Sequence, residues 1–236
     1  MKKYLLLLTN LIAANCLNAN HSFYIGATLE LNTMLGKRND SVENTNRILA
    51  NFTTNKTVNQ RGIYGGFFVG YMLKICSFGI GPEFFYNYGS IENTVSNTHK
   101  DQGAGINTAF DIKHRITTQS GINARIGCFL ESYFLYMLFG QHFQTGNYKV
   151  LARQEPGGAL VEFSHDSKNK VNRGASVGLG AQKQITENYG VGIEYKLINL
   201  PKRSYEFDLV DGNGTKLTSD IKYKIHSIGL RFIYKF

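Results

Sequence analysis

The sequence predicts an all-β fold, specifically an eight-stranded antiparallel up-and-down transmembrane β-barrel. Three observations support this prediction. Eight segments alternate apolar and polar residues with a period of two, most glycines lie on the polar side of that alternation, and long connections alternate with short ones. A period of two is typical of strands, whereas helices repeat every 3.6 residues or so.

The composition of the 236 residues is that of an ordered, strand-rich chain. Charged residues make up 18% and aromatic residues 13%, with 25 glycines and only 3 prolines. Disordered chains have the opposite balance, with high charge and few aromatic residues. The formal net charge of +9 is spread through the predicted loops rather than gathered in a basic run. Nucleic acid is therefore not an expected partner.

The first 19 residues are predicted to be a signal peptide. Two lysines, Lys2 and Lys3, precede a short apolar stretch at Tyr4–Leu8. A basic start followed by a short apolar core is typical of exported proteins, and the segment is short for a membrane-spanning helix. We place cleavage after Ala19, so that residues 20–236 form the barrel domain.

Each of the eight alternating segments is near the length of about 9–11 residues that a tilted strand needs to cross a bilayer. The predicted segments are 22–34, 61–73, 78–90, 116–128, 133–144, 174–185, 189–199 and 222–236. In the first segment, Phe23, Ile25 and Leu29 share a face, and Tyr24 and Gly26 lie on the other. The second, third and fourth repeat this arrangement.

The last four segments follow the same rule with two irregularities. In the fifth, Phe134, Tyr136 and Leu138 are large although they lie opposite the apolar face, so a buried helix is an alternative there. The sixth and seventh alternate cleanly. In the eighth, alternation is clean from Ile228 onward, but lysines occupy the apolar parity before it, which predicts either a bulge or an exit from the membrane.

Glycine placement distinguishes a membrane barrel from a soluble, lipocalin-like one. The glycines opposite the apolar face are Gly26, Gly66, Gly70, Gly79, Gly81, Gly121, Gly127, Gly140, Gly178, Gly180, Gly190, Gly192 and Gly229, and Gly65 is the exception. In a soluble barrel they would face outward without purpose. In a membrane barrel of eight strands they line a lumen just wide enough for side chains.

The connections between segments alternate between about 22–29 residues and about 3–4 residues. Long outer loops and short periplasmic turns are typical of membrane barrels, and an even strand number places both termini on the periplasmic side. The long connections are polar, and the last contains the turn sequence Asp211-Gly212-Asn213-Gly214.

Five charged residues are predicted to face the lumen, where unpaired charges are costly. They are Glu83, Arg125, Glu194, Lys196 and Arg231. Glu83 and Arg125 lie on adjacent segments, as do Glu194 and Arg231, so both pairs can form salt bridges. Two interpretations stay open: a packed, salt-bridged plug and a gated narrow pore.

Cys76 and Cys128 are both expected at the periplasmic rim, where export permits a disulfide. A bridge between them and two free thiols are both compatible with the sequence.

No motif of a hydrolase, a metalloprotease or a nucleotide-binding enzyme is present, and the six histidines are scattered. We therefore expect no enzyme activity, no metal and no cofactor. A catalytic role is the alternative for His226-Ser227, where a histidine adjoins a hydroxyl, and for His142. Both lie near the outer ends of their strands.

The last segment carries the resemblance to a known family. The ending Ser227–Phe236 places Gly229 before alternating aromatic residues and a final Phe236. It resembles the assembly signal of small bacterial outer-membrane proteins of the OmpA/OmpX-like barrel type, with Phe232 and Tyr234 as its other aromatic residues. The opening at His21–Gly26 and the Asn/Lys-rich style look most like Helicobacter-type outer-membrane families.

This resemblance implies an integral protein of the bacterial outer membrane. Its implied partners are outer-membrane lipid and lipopolysaccharide, the barrel-assembly machinery during insertion, and host or envelope surface ligands. The expected role is structural or surface-interactive, adhesin-like, through long extracellular loops. A narrow passive channel is the alternative, and a lipid A-modifying enzyme is a less favoured one.

Overall fold

The computed structural model describes residues 20–44, 52–101, 106–155, 161–166, 170–208 and 215–236. The predicted signal peptide and the predicted turn at residues 211–214 lie outside the described residues. None of the described residues forms a helix that could span a bilayer.

Ten strands make up the described chain, and every pairing between them is antiparallel. They are β1 (Asn20–Asn44), β2 (Phe52–Ile75), β3 (Phe78–Asp101), β4 (Ile106–Leu130), β5 (Tyr133–Glu155), β6 (Val161–Asp166), β7 (Lys170–Gln184), β8 (Tyr189–Asn199), β9 (Arg203–Asp208) and β10 (Thr215–Lys235). The fifth predicted segment is strand β5, not a helix.

Eight of the strands close into a ring, which confirms the predicted barrel. The order is β1-β2-β3-β4-β5-β7-β8-β10, and β10 pairs with β1 from Tyr24 opposite Lys235 to Asn44 opposite Thr215. The two short strands are additions beyond this ring, β6 beside β5 and β9 beside β10. The β1–β10 register is unbroken through His226, so no bulge accounts for the outward lysines that precede Ile228.

Strand β8 has the predicted bounds, whereas β1 to β5 are much longer than the sequence predicted. Strands β1 and β4 each have 25 residues, more than twice the 9–11 that cross a bilayer. The predicted long loops are therefore largely hairpins that continue the barrel wall outward. The pattern of apolar outward residues ends there, because outward side chains beyond the lipid face water and are polar. Inward side chains such as Val58 and Ile91 are buried and apolar.

The opposite ends of the strands meet in short turns, as predicted. Cys76 and Ser77 join β2 to β3, and Glu131 and Ser132 join β4 to β5. Cys76 and Glu131 have φ angles of 56° and 54°, the left-handed conformation that so tight a turn requires.

Of the two alternatives that the sequence leaves open for Cys76 and Cys128, the bridge between them is not formed, because Cys128 carries a free thiol. The register explains the separation, because Cys128 lies opposite Phe78 on β3 while Cys76 lies two residues earlier, within the turn.

Large lumen side chains lie directly across the strand ladder from inward glycines. Tyr24 lies opposite Gly70, Phe68 opposite Gly26, and Tyr136 opposite Gly180. At each of these glycines an added Cβ would overlap the neighbouring ring. The glycines therefore provide the space into which the aromatic rings fold, which is the steric purpose predicted for them.

The barrel wall is closed below and opens above between β2 and β3. The β2–β3 ladder has its outermost pair at Ile63 and Ser90, although both strands continue outward for about ten residues more. Register shifts occur at this level, between Tyr88 and Ile91 on β3 and in the β4–β5 pairing beside Ile116. Bulges bend a strand and increase its twist, which accounts for β3 and β4 turning away from β2.

We predict that Gly180→Ala destabilises the barrel by about 1–3 kcal/mol, because the new methyl group overlaps the Tyr136 ring. Gly65→Ala is the matched control, since its Cβ would have one neighbour, the Thr28 carbonyl oxygen at 4.0 Å. Urea unfolding of the refolded protein measures both. Equal stability of the two variants would contradict the steric role of the inward glycines.

Candidate functional site

The lumen is filled by side chains in three layers. Nearest the short turns lies an aromatic layer, formed by Tyr24, Phe68, Met72, Phe85, Phe134, Tyr136, Leu138 and Ile233. A charged and polar layer follows. The outer part of the barrel encloses an apolar layer, formed by Met34, Val58, Tyr64, Ile91, Ile116, Ile198, Leu200, Tyr205, Leu217, Ile221, Tyr223 and Ile225. All twenty of these side chains are buried.

The middle layer brings together all five of the charged residues that the sequence placed in the lumen. Arg231 is its centre: its Nη1 and Nη2 donate to the two oxygens of Glu83 at 3.1 and 2.5 Å, and Nη1 also donates to Glu194 at 2.7 Å. Arg125 Nη1 lies 3.2 Å from Glu83 Oε2. Lys196 Nζ lies 3.5 Å from Glu194 Oε1.

A sixth member, Glu30, was missed by the sequence reasoning. Lys196 Nζ donates to Glu30 Oε1 at 2.5 Å, and Ser227 donates to Glu30 Oε2 at 3.0 Å. Glu30 shares the inward parity of Gly26 on β1, and Lys196 had no predicted partner, so both signals were present in the sequence. With Glu30 the cluster holds three carboxylates and three cations, and its formal charge is zero.

Aromatic rings of the inner layer hold the two guanidinium groups in place. The Arg125 guanidinium lies 3.7 Å from the Tyr136 ring centroid, and that of Arg231 lies 3.8 Å from the Phe68 centroid. Tyr136 also donates to Glu194 at 2.7 Å. Arginine stacks on aromatic faces while its edge pairs with carboxylates, so charged and aromatic layers form one packed unit.

The polar layer extends outward from the charges through amide side chains, including Asn87, Asn123, Gln119 and Gln144, which are buried. It then meets the outer apolar layer, where the Tyr64 hydroxyl donates to the Ile116 carbonyl at 2.8 Å across the barrel. Among the described residues, apolar side chains therefore bound the polar layer at both ends.

A second polar cluster lies farther out, within the outer apolar layer, since Ser219 lies between Ile221 and Leu217 on β10. The Asp40 carboxylate accepts from Arg38 Nε at 2.8 Å and from Ser219 Oγ at 2.7 Å. His114 is buried nearby, with its ring centroid 5.8 Å from that of Tyr223. Burial, with the charge of Arg38 as the second cause, lowers the pKa of His114 to about 3.

The residues considered for catalysis do not assemble. Ser227 points inward to Glu30, whereas His226 points outward and its Nδ1 lies 2.7 Å from the Tyr195 hydroxyl. His142 is buried in the lumen, 4.5 Å between ring centroids from Phe85. In the part of the chain that the structure describes, no group of three or more His, Cys, Asp or Glu side chains could hold a metal ion.

The predicted assembly signal on β10 divides between the two faces. Phe232 and Phe236 are exposed on the apolar exterior, and Tyr234 packs edge-on against Phe236 with ring centroids 5.0 Å apart. Gly229 faces the lumen beside Glu30. Recognition of these residues by an assembly machinery stays a prediction.

Arg231→Met should lower the free energy of unfolding by about 3–5 kcal/mol, because it leaves two buried carboxylates short of a cation. The charge-balanced double variant Glu83→Gln/Arg231→Met should recover part of that loss. Lys113→Met is the control, since Lys113 pairs with Glu92 at an exposed site where the loss is about 0–1 kcal/mol. Urea titration in detergent measures all three, and a single variant as stable as the parent would contradict the central role of Arg231.

Stability should fall as the pH falls from about 6.5 to about 3, because the unfolded chain protonates at His114 while the folded chain does not. The contribution of His114 is fully present above pH 6.5, and its slope is at most about 1.4 kcal/mol per pH unit. Urea unfolding across this range should show a shallower dependence for His114→Gln. Parallel curves for variant and parent would show that His114 is not the titrating group.

The family model of the outer membrane protein β-barrel domain matches residues 4–236 of this chain. A comparison with curated proteins finds no significant relative. Among solved structures the chain is similar to the outer membrane protein OprG from Pseudomonas aeruginosa, with 12% identity, a TM-score of 0.48, and 93% of this chain and 97% of that chain covered.

The chain is also similar to two further solved structures. Neisserial surface protein A has 11% identity and a TM-score of 0.38, covering 92% of this chain and 99% of its own. The attachment invasion locus protein Ail of Yersinia pestis has 15% identity and a TM-score of 0.28, covering 89% and 99%. These similarities carry no ligand or activity over to this chain. By its family match and its closed eight-stranded ring, the chain belongs to the outer membrane protein β-barrel family of the bacterial outer membrane.

Proposed function

We propose that this protein has a structural and surface-interaction role, adhesin-like in kind, carried by the extracellular half of its barrel. The observation that carries the proposal is the filled lumen. A charge-neutral cluster centred on Arg231 occupies its middle, and apolar layers close it on both sides among the described residues. Because the lumen is filled by side chains, the outer surface of the barrel is the part that contacts other molecules.

The extracellular half offers a large, basic outer surface. Strands β1, β2 and β10 continue well beyond Leu31, Ile63 and Ile228, the last outward row in which all three residues are apolar, and above that row Leu35 on β1 is also exposed. Outward side chains above this row include Lys37, Arg61, Lys222 and Lys224, all exposed. We propose lipopolysaccharide as the first partner of this surface and acidic host or envelope surfaces as the others, because anionic groups complement its charge.

The alternative, a narrow passive channel, is favoured by one observation, the amide-rich layer between the two apolar layers. Conduction would require ions to displace tightly packed groups such as Tyr64 and Ile116, which a barrel of eight strands has little room to do. We therefore rank it second.

In planar lipid bilayers, the refolded protein should show no conductance above that of the bare membrane. The physical reason is that each apolar layer excludes hydrated ions. Detergent buffer without protein is the control. Discrete conductance steps that enlarge in Tyr64→Ala, which shortens a side chain of the outer layer, would contradict the proposal and establish the channel.

The extracellular surface should bind lipopolysaccharide in detergent solution, and binding should weaken steeply with added salt. Lys222→Gln/Lys224→Gln should lower the affinity by about tenfold through the loss of two positive charges. Isothermal titration measures it, with a zwitterionic phospholipid as the non-binding control ligand. Equal heats with both lipids would contradict a glycolipid-directed surface.

Three further expectations belong to this proposal. The outward Phe232 and Phe236 support recognition of β10 by the barrel-assembly machinery during insertion. The separation of His226 from Ser227 on opposite faces supports a role without catalysis. The opening at His21–Gly26 is the sequence feature that supports a Helicobacter-type family.

A further inference from the structure

A polar pocket lies on the outward face of strands β1 and β2, within the extracellular half. Its volume is about 420 Å³, and its walls are Lys37, Asn39, Asn55, Lys56 and Thr57. Lys37 lies directly opposite Thr57 in the strand ladder, and Asn39 lies opposite Asn55. We call these five residues the outer-wall pocket.

Strand alternation places Lys37, Asn39, Asn55 and Thr57 outward, whereas Lys56 lies opposite Arg38 at an inward position. Arg38 and Asp40 are the inward residues on β1 and pair with each other inside the barrel, so Lys37 and Asn39 face the exterior. The four outward side chains are all polar: one ammonium group, two amides and one hydroxyl. Such a surface has no apolar wall for an acyl chain, and it offers donors for an anion and hydrogen-bonding groups for hydroxyls.

Lys37 is the cation that the outer-wall pocket offers to a ligand. Lys56 instead reaches toward β3, where its Nζ donates to the backbone carbonyl of Ser96 at 2.5 Å and spans the open side of the wall between β2 and β3. Lys37 forms no ion pair with any residue that the structure describes. Lys222 lies directly opposite Lys37 on the other side of β1, and Lys224 is one outward position lower on β10.

Two carboxylates lie in the surroundings of the pocket. Asp220 is opposite Asn39 on β10, but it is engaged with Lys202 at 2.7 Å and with Ser204. These contacts lower the pKa of Asp220, the hydrogen bond from Lys202 being the largest cause. Glu43 lies farther out on β1, opposite Lys216. Both carboxylates therefore have a lysine beside them, and the positive charges of the pocket stand in excess.

The height of the pocket places it above the lipid. Lys37 lies six residues beyond Leu31, which belongs to the last fully apolar outward row with Ile63 and Ile228. Six residues extend about 20 Å along a strand, or about 15 Å along the membrane normal at a tilt of about 40°. That height corresponds to the saccharide layer of an outer leaflet rather than to its acyl chains.

We propose that the outer-wall pocket binds an anionic saccharide, with Lys37 on a phosphate, carboxylate or sulfate group of that saccharide. Asn39, Asn55 and Thr57 bind its hydroxyls. The inference rests on the proposed surface-interaction role and deepens it, because it assigns that role to four outward residues and one class of ligand. Two sources supply this chemistry: the phosphorylated core of the cell's own glycolipid and an acidic glycan on another cell.

Isothermal titration of the detergent-refolded protein tests the proposal with three soluble probes. They are a deacylated, phosphorylated core oligosaccharide, the same oligosaccharide after dephosphorylation, and a sulfated glycosaminoglycan oligosaccharide. We expect the dephosphorylated probe to bind about tenfold more weakly than its parent. The stronger of the two anionic probes identifies the source of the saccharide.

Variants separate this pocket from general attraction to a basic surface. Lys37→Gln should lower the affinity for the preferred anionic probe by about tenfold. Asn55→Ala should lower it by about threefold with an unchanged salt dependence, because it removes a hydrogen bond and no charge. Lys113→Gln is the matched charge control on the far strand β4, where Lys113 pairs with Glu92, and it should bind as the parent does.

Four results would overturn the inference. One is equal binding of the phosphorylated and dephosphorylated probes. Another is an equal loss in Lys113→Gln and in Lys37→Gln, which would indicate charge without a site. The third is that no probe binds while intact lipopolysaccharide binds as before, which would remove the pocket but leave the proposed function in place. Failure of intact lipopolysaccharide and all three probes to bind would remove both.

Discussion

The barrel depends on the charge balance at the middle of its lumen. Arg231 contacts two carboxylates at once, and the cluster around it joins residues from β1, β3, β4, β8 and β10. Buried charges are tolerated only when each finds a partner, so the cluster fixes which strands stand opposite one another. The guanidinium groups are packed against Tyr136 and Phe68, which links this electrostatic constraint to the aromatic layer.

The small volume of the lumen also determines where the inward glycines lie and where other molecules can bind. A ring of eight strands encloses little volume, and large inward residues such as Tyr24 and Tyr136 fit because a residue opposite each of them is glycine. Apolar side chains fill the lumen on both sides of the charged cluster. Other molecules are therefore expected to bind on the outside of the wall, where polar residues of β1 and β2 continue past the lipid.

Much of the fold was predictable because the bilayer imposes a simple pattern. Lipid requires apolar residues at alternate positions, which is why the eight segments, their orientation and the lumen charges could be read from the sequence. Strand length was not predictable, since the wall beyond the lipid meets water on its outer face and loses that pattern. Glu30 was missed although its parity was known, and the Cys76–Cys128 pairing failed because nearness along a rim does not fix which residues oppose each other.

The open side between β2 and β3 divides the molecule into two regions of unequal cooperativity. Below Ile63 and Ser90 every strand of the ring has two neighbours, so no strand can leave without breaking two ladders. Above that level the outer parts of β2 and β3 each keep one ladder among the described residues. Opening of the molecule is therefore expected to begin at this boundary and to spread outward. The membrane-embedded ring can then keep its shape while the exterior sheets change sequence, as surfaces exposed to other cells commonly do.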